Sequence, residues 1–201
     1  MQKSTIGGLF RSLTLGPRHV CPWWLGYFLL NPFRRLYQNP DTILVPFVKS
    51  GMTVLEVGPG MGFFSLPLAR LAGSGGKVIC VDVQEKMLRV LQRRAEATGV
   101  ADRIIARTCT SASLSLDDLR ERIDFAIVFA VVHEVPDHAR FFAEIARALK
   151  PGACCLVAEP KGHVTAWEFE ASLGIAAKNG LEKAGELHVT GSRAVLLKKQ
   201  P

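Results

Sequence analysis

The first forty residues contain no aspartate or glutamate. They hold Lys3, Arg11, Arg18, Arg34 and Arg35, so this stretch carries +5 of the chain's net +7 and leaves +2 for the rest. No run of about 18 apolar residues occurs anywhere, which argues against a membrane-spanning helix. Pro22, Trp23 and Trp24 interrupt the apolar part of the N-terminal stretch, and no clean small-residue cleavage site follows, so a secretory signal does not fit. The five cysteines are odd in number and form no C-x-x-C pair, which speaks against a disulfide framework and for a reduced, cytoplasmic protein with buried thiols. Metal chemistry is weakly signalled: His133 and His138 lie five apart across a proline, and His19 and Cys21 are isolated. We therefore expect no metal site.

What is present begins with residues 1–38, a basic arm that also holds aromatics out of proportion to its length. Arg-rich, acid-poor character also describes organellar transit peptides, but the prolines and paired tryptophans favour an ordered element. Two readings stand. Trp23, Trp24, Tyr27 and Phe28 form a lid that supplies an apolar wall to a substrate site, or the arm packs as a helix on the domain's own surface. Peripheral contact with a membrane through this arm is a further expectation. Residues 39–201 form one domain, a length that suits a single core.

Within that domain strands and helices alternate. Met52–Val57 and Lys77–Asp82 are aliphatic runs of the kind buried on both sheet faces. Further strands are expected at 103–109, 124–130 and 154–159. Helices are expected at 63–72, at 84–98 with Gly99 as the stop, from Asp137 to Pro151, and from a Thr165–Glu168 capping box to Gly180, burying Phe169, Leu173 and Ala177. Asn39-Pro40 opens an earlier helix with Ile43, Leu44, Phe47 and Val48 on one face, kinked at Pro46. Residues 185–189 and 193–198 read as an antiparallel hairpin. The alternation predicts an α/β open sheet with ligands at the carboxyl edge of the strands.

The centre of the pattern is Glu56-Val57-Gly58-Pro59-Gly60-Met61-Gly62, the strand-to-helix turn E-x-G-x-G-x-G. Glycines let the backbone turn sharply and approach a ligand closely. The third glycine comes one residue earlier than in the dinucleotide fingerprint G-x-G-x-x-G, which disfavours a nicotinamide-dependent oxidoreductase. Asp82, ending the second strand about twenty residues on, can accept both hydroxyls of a ribose. Val83 would offer an apolar face to a base.

This turn resembles motif I of the class I S-adenosylmethionine-dependent methyltransferases, and the likeness runs over roughly residues 40–199. It implies a Rossmann-like, open seven-stranded, mostly parallel sheet with an antiparallel C-terminal hairpin and helices on both faces. The local motifs are similar to the small-molecule branch that includes quinone-biosynthesis methyltransferases. The resemblance implies S-adenosylmethionine as cofactor (S-adenosylhomocysteine as product), held by Glu56, Gly58, Pro59, Gly60, Gly62, Asp82, Val83, Ser111, Ala112 and Ala130. The family often has an acid after the third strand to bond the adenine amino group. Here Thr110-Ser111-Ala112 stands instead, so a serine or a backbone carbonyl must serve.

The loop Ala130–Asp137 would sit over the transferring methyl. His133 is either a general base toward a hydroxyl or thiol or a loop anchor, and Glu134 either orients it or faces solvent. The Asn/Asp-Pro-Pro-Tyr box of amino-methylating DNA enzymes is absent, which argues against base methylation, so nucleic acid is not expected as a partner; the resemblance implies a small, apolar methyl acceptor. The alternative class is a binding module that keeps the nucleoside pocket without turnover.

Overall fold

The computed structural model describes Leu30 and residues 33–200. Trp23, Trp24, Tyr27 and Phe28 lie outside the described residues. Seven strands form one sheet: β1 (Thr53–Val57), β2 (Lys77–Asp82), β3 (Ile104–Thr108), β4 (Ile123–Phe129), β5 (Leu149–Pro160), β6 (Leu181–Leu187) and β7 (Ser192–Lys199). Their order is β3-β2-β1-β4-β5-β7-β6. Strands β1 to β5 pair in parallel, and β7 runs antiparallel to both β5 and β6. The described helices are α1 (Arg34–Tyr37), α2 (Pro40–Leu44), α3 (Ser65–Ala72), α4 (Glu85–Ala97), α5 (His138–Ala148) and α6 (Ala166–Lys178). None is long and apolar enough to cross a membrane.

The central strands are buried on both faces, which is why they read as continuous apolar runs. Leu55, Val57, Ala126 and Val128 join a core with Phe141, Phe142 and Ile145 of α5 and Phe169 and Leu173 of α6. Val54, Val78, Phe125 and Ile127 face the other way, onto Leu66, Leu68, Leu88 and Leu91 of α3 and α4. Two helix starts follow their side-chain signals. Asp137 accepts from Arg140 N–H at the head of α5, and Thr165 with Glu168 forms the capping box of α6.

Several local expectations change. Helix α5 ends at Ala148 and β5 already begins at Leu149, five residues before the expected strand, and β6 begins at Leu181 instead of 185. Asn39 caps α2 with Pro40 in its first turn, but the helix ends at Leu44 instead of bending at Pro46, because a proline there can neither donate to Thr42 nor clear its carbonyl. Helix α3 starts at Ser65, not Phe63, since residues 61–64 are used by the glycine turn. On α6 the inward small residue is Ala176, while Ala177 faces solvent.

The junction with the arm is already docked. Gln38 is buried, and its Nε2 donates to Thr190 O at 2.9 Å and Ser192 Oγ at 3.4 Å. Gln38, the C-cap of α1, thus ties that helix to the turn between β6 and β7.

Candidate active site

At the carboxyl edge of β1, β2 and β4 lies an open cleft of about 1350 Å³, mouth included. Its floor is the glycine turn. Gly58, Gly60 and Gly62 have φ of +69°, +54° and +88°, a region that penalises any side chain. Their surroundings differ. A Cβ on Gly60 would meet nothing within 4 Å and would project into open space, whereas one on Gly58 would overlap Val131 Cγ2 at 2.3 Å. A Cβ on Gly62 would strike Leu91 Cδ1 at 2.4 Å. Gly62 does not line the cleft; it lets the turn pack on α4. Arg94 of α4 also donates to the Met61 carbonyl and holds the turn from behind.

Two acids flank this turn. Glu56 is 3% exposed. Burial raises its pKa to about 7, with the Ser65 and Cys80 side chains opposing the shift and the Asp82 charge adding to it. Among the described residues no cation pairs with it; the Cys80 thiol, at 3.6 Å, is its hydrogen-bond neighbour. Asp82 is also shifted upward by burial, against the backbone N–H groups of Gln84, Gly60 and Val83. Gln84 N–H and Gly60 N–H donate to its two oxygens at 2.8 and 3.3 Å, so the carboxylate is fixed in orientation and keeps lone pairs toward the cleft.

The remaining walls come from the loops after β3 and β4 and from the arm. Val83, Ser111, Ala112, Pro59, Ala130 and Glu134 all line the cleft. The loop after β3 is braced by the buried Glu144 of α5, which accepts from Leu114 N–H at 2.7 Å and Ser113 Oγ at 3.1 Å. Cys109 also lines the cleft, and burial, then Asp82, lifts its pKa to about 11, so it stays a thiol.

His133 is not part of the lining. Its Nδ1 bonds Glu159 Oε2 at 2.5 Å. Arg34 does line the cleft, with its guanidinium 4.1 Å from the centre of the Phe63 ring and 5.5 Å from that of Phe129. Burial lowers its pKa. The sequence marked Arg34 only as one charge of a basic arm, and its neighbours Arg35, Leu36 and Tyr37 gave no sign of an inward role.

A parallel sheet of this order, with a glycine turn after β1, an acid near the end of β1 and one at the end of β2, defines an α/β protein that binds a nucleoside-containing ligand at its strand ends. The insertion of β7 between β5 and β6 separates it from the dinucleotide-binding order, where the sixth strand continues the sheet. A family model described as a methyltransferase domain matches residues 55–157. The chain belongs to this family, within the class I S-adenosylmethionine-dependent methyltransferases, and is similar to quinone-biosynthesis members.

One curated relative, a ubiquinone biosynthesis O-methyltransferase of Paramagnetospirillum magneticum, is 32% identical over 140 residues, 70% of this chain and 52% of the relative. The ubiquinone/menaquinone biosynthesis C-methyltransferase UbiE of Cellvibrio japonicus is 33% identical over 118 residues, 59% of this chain and 47% of the relative. The chain spans about half the length of the curated relatives it matches. Among solved structures, a SAM-dependent methyltransferase from Aquifex aeolicus superposes with a TM-score of 0.79 at 24% identity, covering 90% of this chain and 100% of that one. Geranyl diphosphate methyltransferase in complex with SAM gives a TM-score of 0.66 at 17% identity, covering 87% of this chain and 89% of that one.

Proposed function

We propose that this protein is an S-adenosylmethionine-dependent methyltransferase acting on a small, apolar acceptor of the quinone-precursor kind. The observation that carries this reading is a single cleft holding the open side of Gly60 between two buried acids, Glu56 and Asp82. Those residues fit the cofactor. Asp82 suits the ribose hydroxyls, Glu56 an ammonium, and Val83 and the Ser111–Ala112 backbone the adenine. S-adenosylmethionine supplies an electrophilic methyl, so the protein's task is alignment and exclusion of water. Phe129, Val135 and Phe141 give the cleft an apolar wall on the acceptor side. Glu134 is the carboxylate of the loop that we assign to face an acceptor hydroxyl. Two relatives are named for quinone biosynthesis, which favours turnover over a binding-only module. A cytoplasmic location accords with the free thiols of Cys80, Cys109, Cys154 and Cys155.

The test is calorimetry with S-adenosylhomocysteine, followed by labelled methyl transfer from S-adenosylmethionine to a panel of phenols, quinols and lipid extracts. Tight NAD binding without a response to S-adenosylhomocysteine would overturn the reading.

Arg34 is assigned to the carboxylate of the methionine moiety. Its stacking on Phe63 sets the guanidinium plane at a wall next to the glycine turn, and a carboxylate there forms a charge-assisted bond in a poorly hydrated site. Arg34→Ala is expected to weaken S-adenosylhomocysteine roughly 10-fold or more, while 5′-methylthioadenosine, which lacks the amino-acid part, binds as before. Equal losses for both ligands would assign Arg34 to wall packing instead.

Of the two readings of the arm, we propose the lid over packing as a helix on the domain's surface. A chain lacking residues 1–29 keeps Arg34 and Gln38, and is expected to fold and bind S-adenosylhomocysteine while losing acceptor methylation. Unfolding of that truncated chain would place the aromatics in the core.

A further inference from the structure

Strands β4 and β5 separate just beyond Ala130. The Ala130 N–H still finds the Ala158 carbonyl at 2.7 Å, but Ala130 itself sits at φ +59°, a conformation that costs a non-glycine residue about 1 kcal/mol and persists only where its surroundings over-determine it. The next two N–H groups, of Val131 and Val132, have left the strand ladder. Both donate to one side-chain oxygen, Glu159 Oε1, at 2.9 and 2.8 Å. The other oxygen, Oε2, takes His133 Nδ1 at 2.5 Å. Glu159 is 2% exposed, so this carboxylate spends its acceptor capacity, away from water, on three consecutive residues of one loop. His133 is 27% exposed and lies on the outer side.

The same loop reaches the glycine turn. Val131 Cγ2 fills the space that a Cβ on Gly58 would need, and a 3₁₀ turn at Val132–Glu134 presents Glu134 to the cleft. The backbone at Val131 is therefore fixed on one side by Glu159 and pressed on the other against the floor of the site.

We propose that Glu159 is a positioning residue of the active site: with His133 as its outer donor, it clamps the Ala130–Pro136 loop so that Val131 seats on Gly58 and Glu134 faces the acceptor. This rests on the methyl-transfer reading for its consequence in binding, but the clamp is observable without ligand. The charged and titratable groups around His133 are Glu159 from β5, Glu134 on its own turn, and His163 from the loop after β5, whose ring lies 5.9 Å away. Burial of the imidazole opposes its charge, yet the bond to Glu159 and the two carboxylate charges outweigh it, so the His133 pKa is raised. The clamp is then strongest when His133 is protonated and loosens as pH rises past the ordinary imidazole range.

The experiment uses the full chain. In amide NMR without ligand, the Val131 and Val132 N–H signals should shift together with the titration of the His133 ring, and should stop responding to pH in His133→Asn. Asparagine places an N–H donor close to where Nδ1 stands, so His133→Asn should bind S-adenosylhomocysteine nearly as wild type does. His133→Ala should lose roughly 3- to 10-fold and Glu159→Gln roughly 10-fold or more, since a buried carboxylate's bonds are lost or reversed. Amides that ignore the His133 titration, or a folded Glu159→Gln with wild-type affinity, or an asparagine variant no better than alanine, would each overturn the clamp. If wild type itself fails to bind S-adenosylhomocysteine while the amides still follow His133, the clamp stands and the methyl-transfer reading falls.

Discussion

Gly60→Val is expected to abolish S-adenosylhomocysteine binding, with at least a 100-fold loss in affinity, while leaving a folded protein. Two effects add. At φ +54° a β-branched residue is held in its worst backbone region, which bends the turn away from the geometry that Gly60 N–H needs to reach Asp82. The new side chain also projects into the cleft, because nothing within 4 Å lies in its way. It therefore occupies ligand space without disturbing the core. A 100-fold change corresponds to about 2.7 kcal/mol, modest for a steric block in a narrow cradle.

Gly58→Ala should behave differently, and the contrast identifies the cause. Its Cβ meets Val131 at 2.3 Å, so it should cost stability as well as affinity, and Val131→Ala in the same chain should recover part of both. A Gly60→Val protein with wild-type calorimetry would show that the ligand does not cross this turn.

The sheet was legible in the sequence for a physical reason. Strands buried on both faces must be apolar throughout, so the acids that interrupt these runs, Glu56 one residue before the end of β1 and Asp82 at the end of β2, marked the site. Caps were legible because their signals are local: Asp137 and Thr165 bond to groups three residues away. Gly62 shows where local reading stops. A glycine that contacts a ligand and one that admits Leu91 look alike in sequence. The same holds for His133, whose partner Glu159 lies 26 residues on; an acid at the end of β5 carries no mark of which loop it will hold. Arg34 was hidden in the charge of the arm, since its cation–π contacts with Phe63 and Phe129 are made only when α1 docks on the strand ends.

Glu56 carries the remaining expectation, in which stability and binding move in opposite directions. Its pKa is raised from 4.5 to about 7 by burial. Below pH 4.5 the carboxyl is neutral in both folded and unfolded chains and contributes nothing. Between these values the unfolded chain gives up its proton while the folded one keeps it, so stability falls as pH rises, by a total of about 3 kcal/mol once the folded-state group is ionised. An ammonium beside Glu56 reverses this, because it favours the ionised form.

Binding of S-adenosylhomocysteine should thus release protons below pH 7, and in a His133→Asn chain, where the loop clamp does not titrate, its affinity should climb from pH 5.5 to a plateau near pH 8. 5′-Methylthioadenosine, without the ammonium, should show no such climb. Glu56→Gln removes the ionisation. The ligand-free variant should melt several degrees above wild type at pH 8, at about 2–4 °C per kcal/mol for a chain of this size. Its affinity for S-adenosylhomocysteine should fall roughly 10- to 100-fold and lose the climb that Glu56 ionisation gives. Calorimetry in buffers of different ionisation enthalpy measures the released proton directly. Proton release of zero at pH 6 in the His133→Asn chain, with its affinity flat from pH 5.5 to 8, would mean that the ammonium sits elsewhere and that Glu56 is only a buried acid beside Cys80.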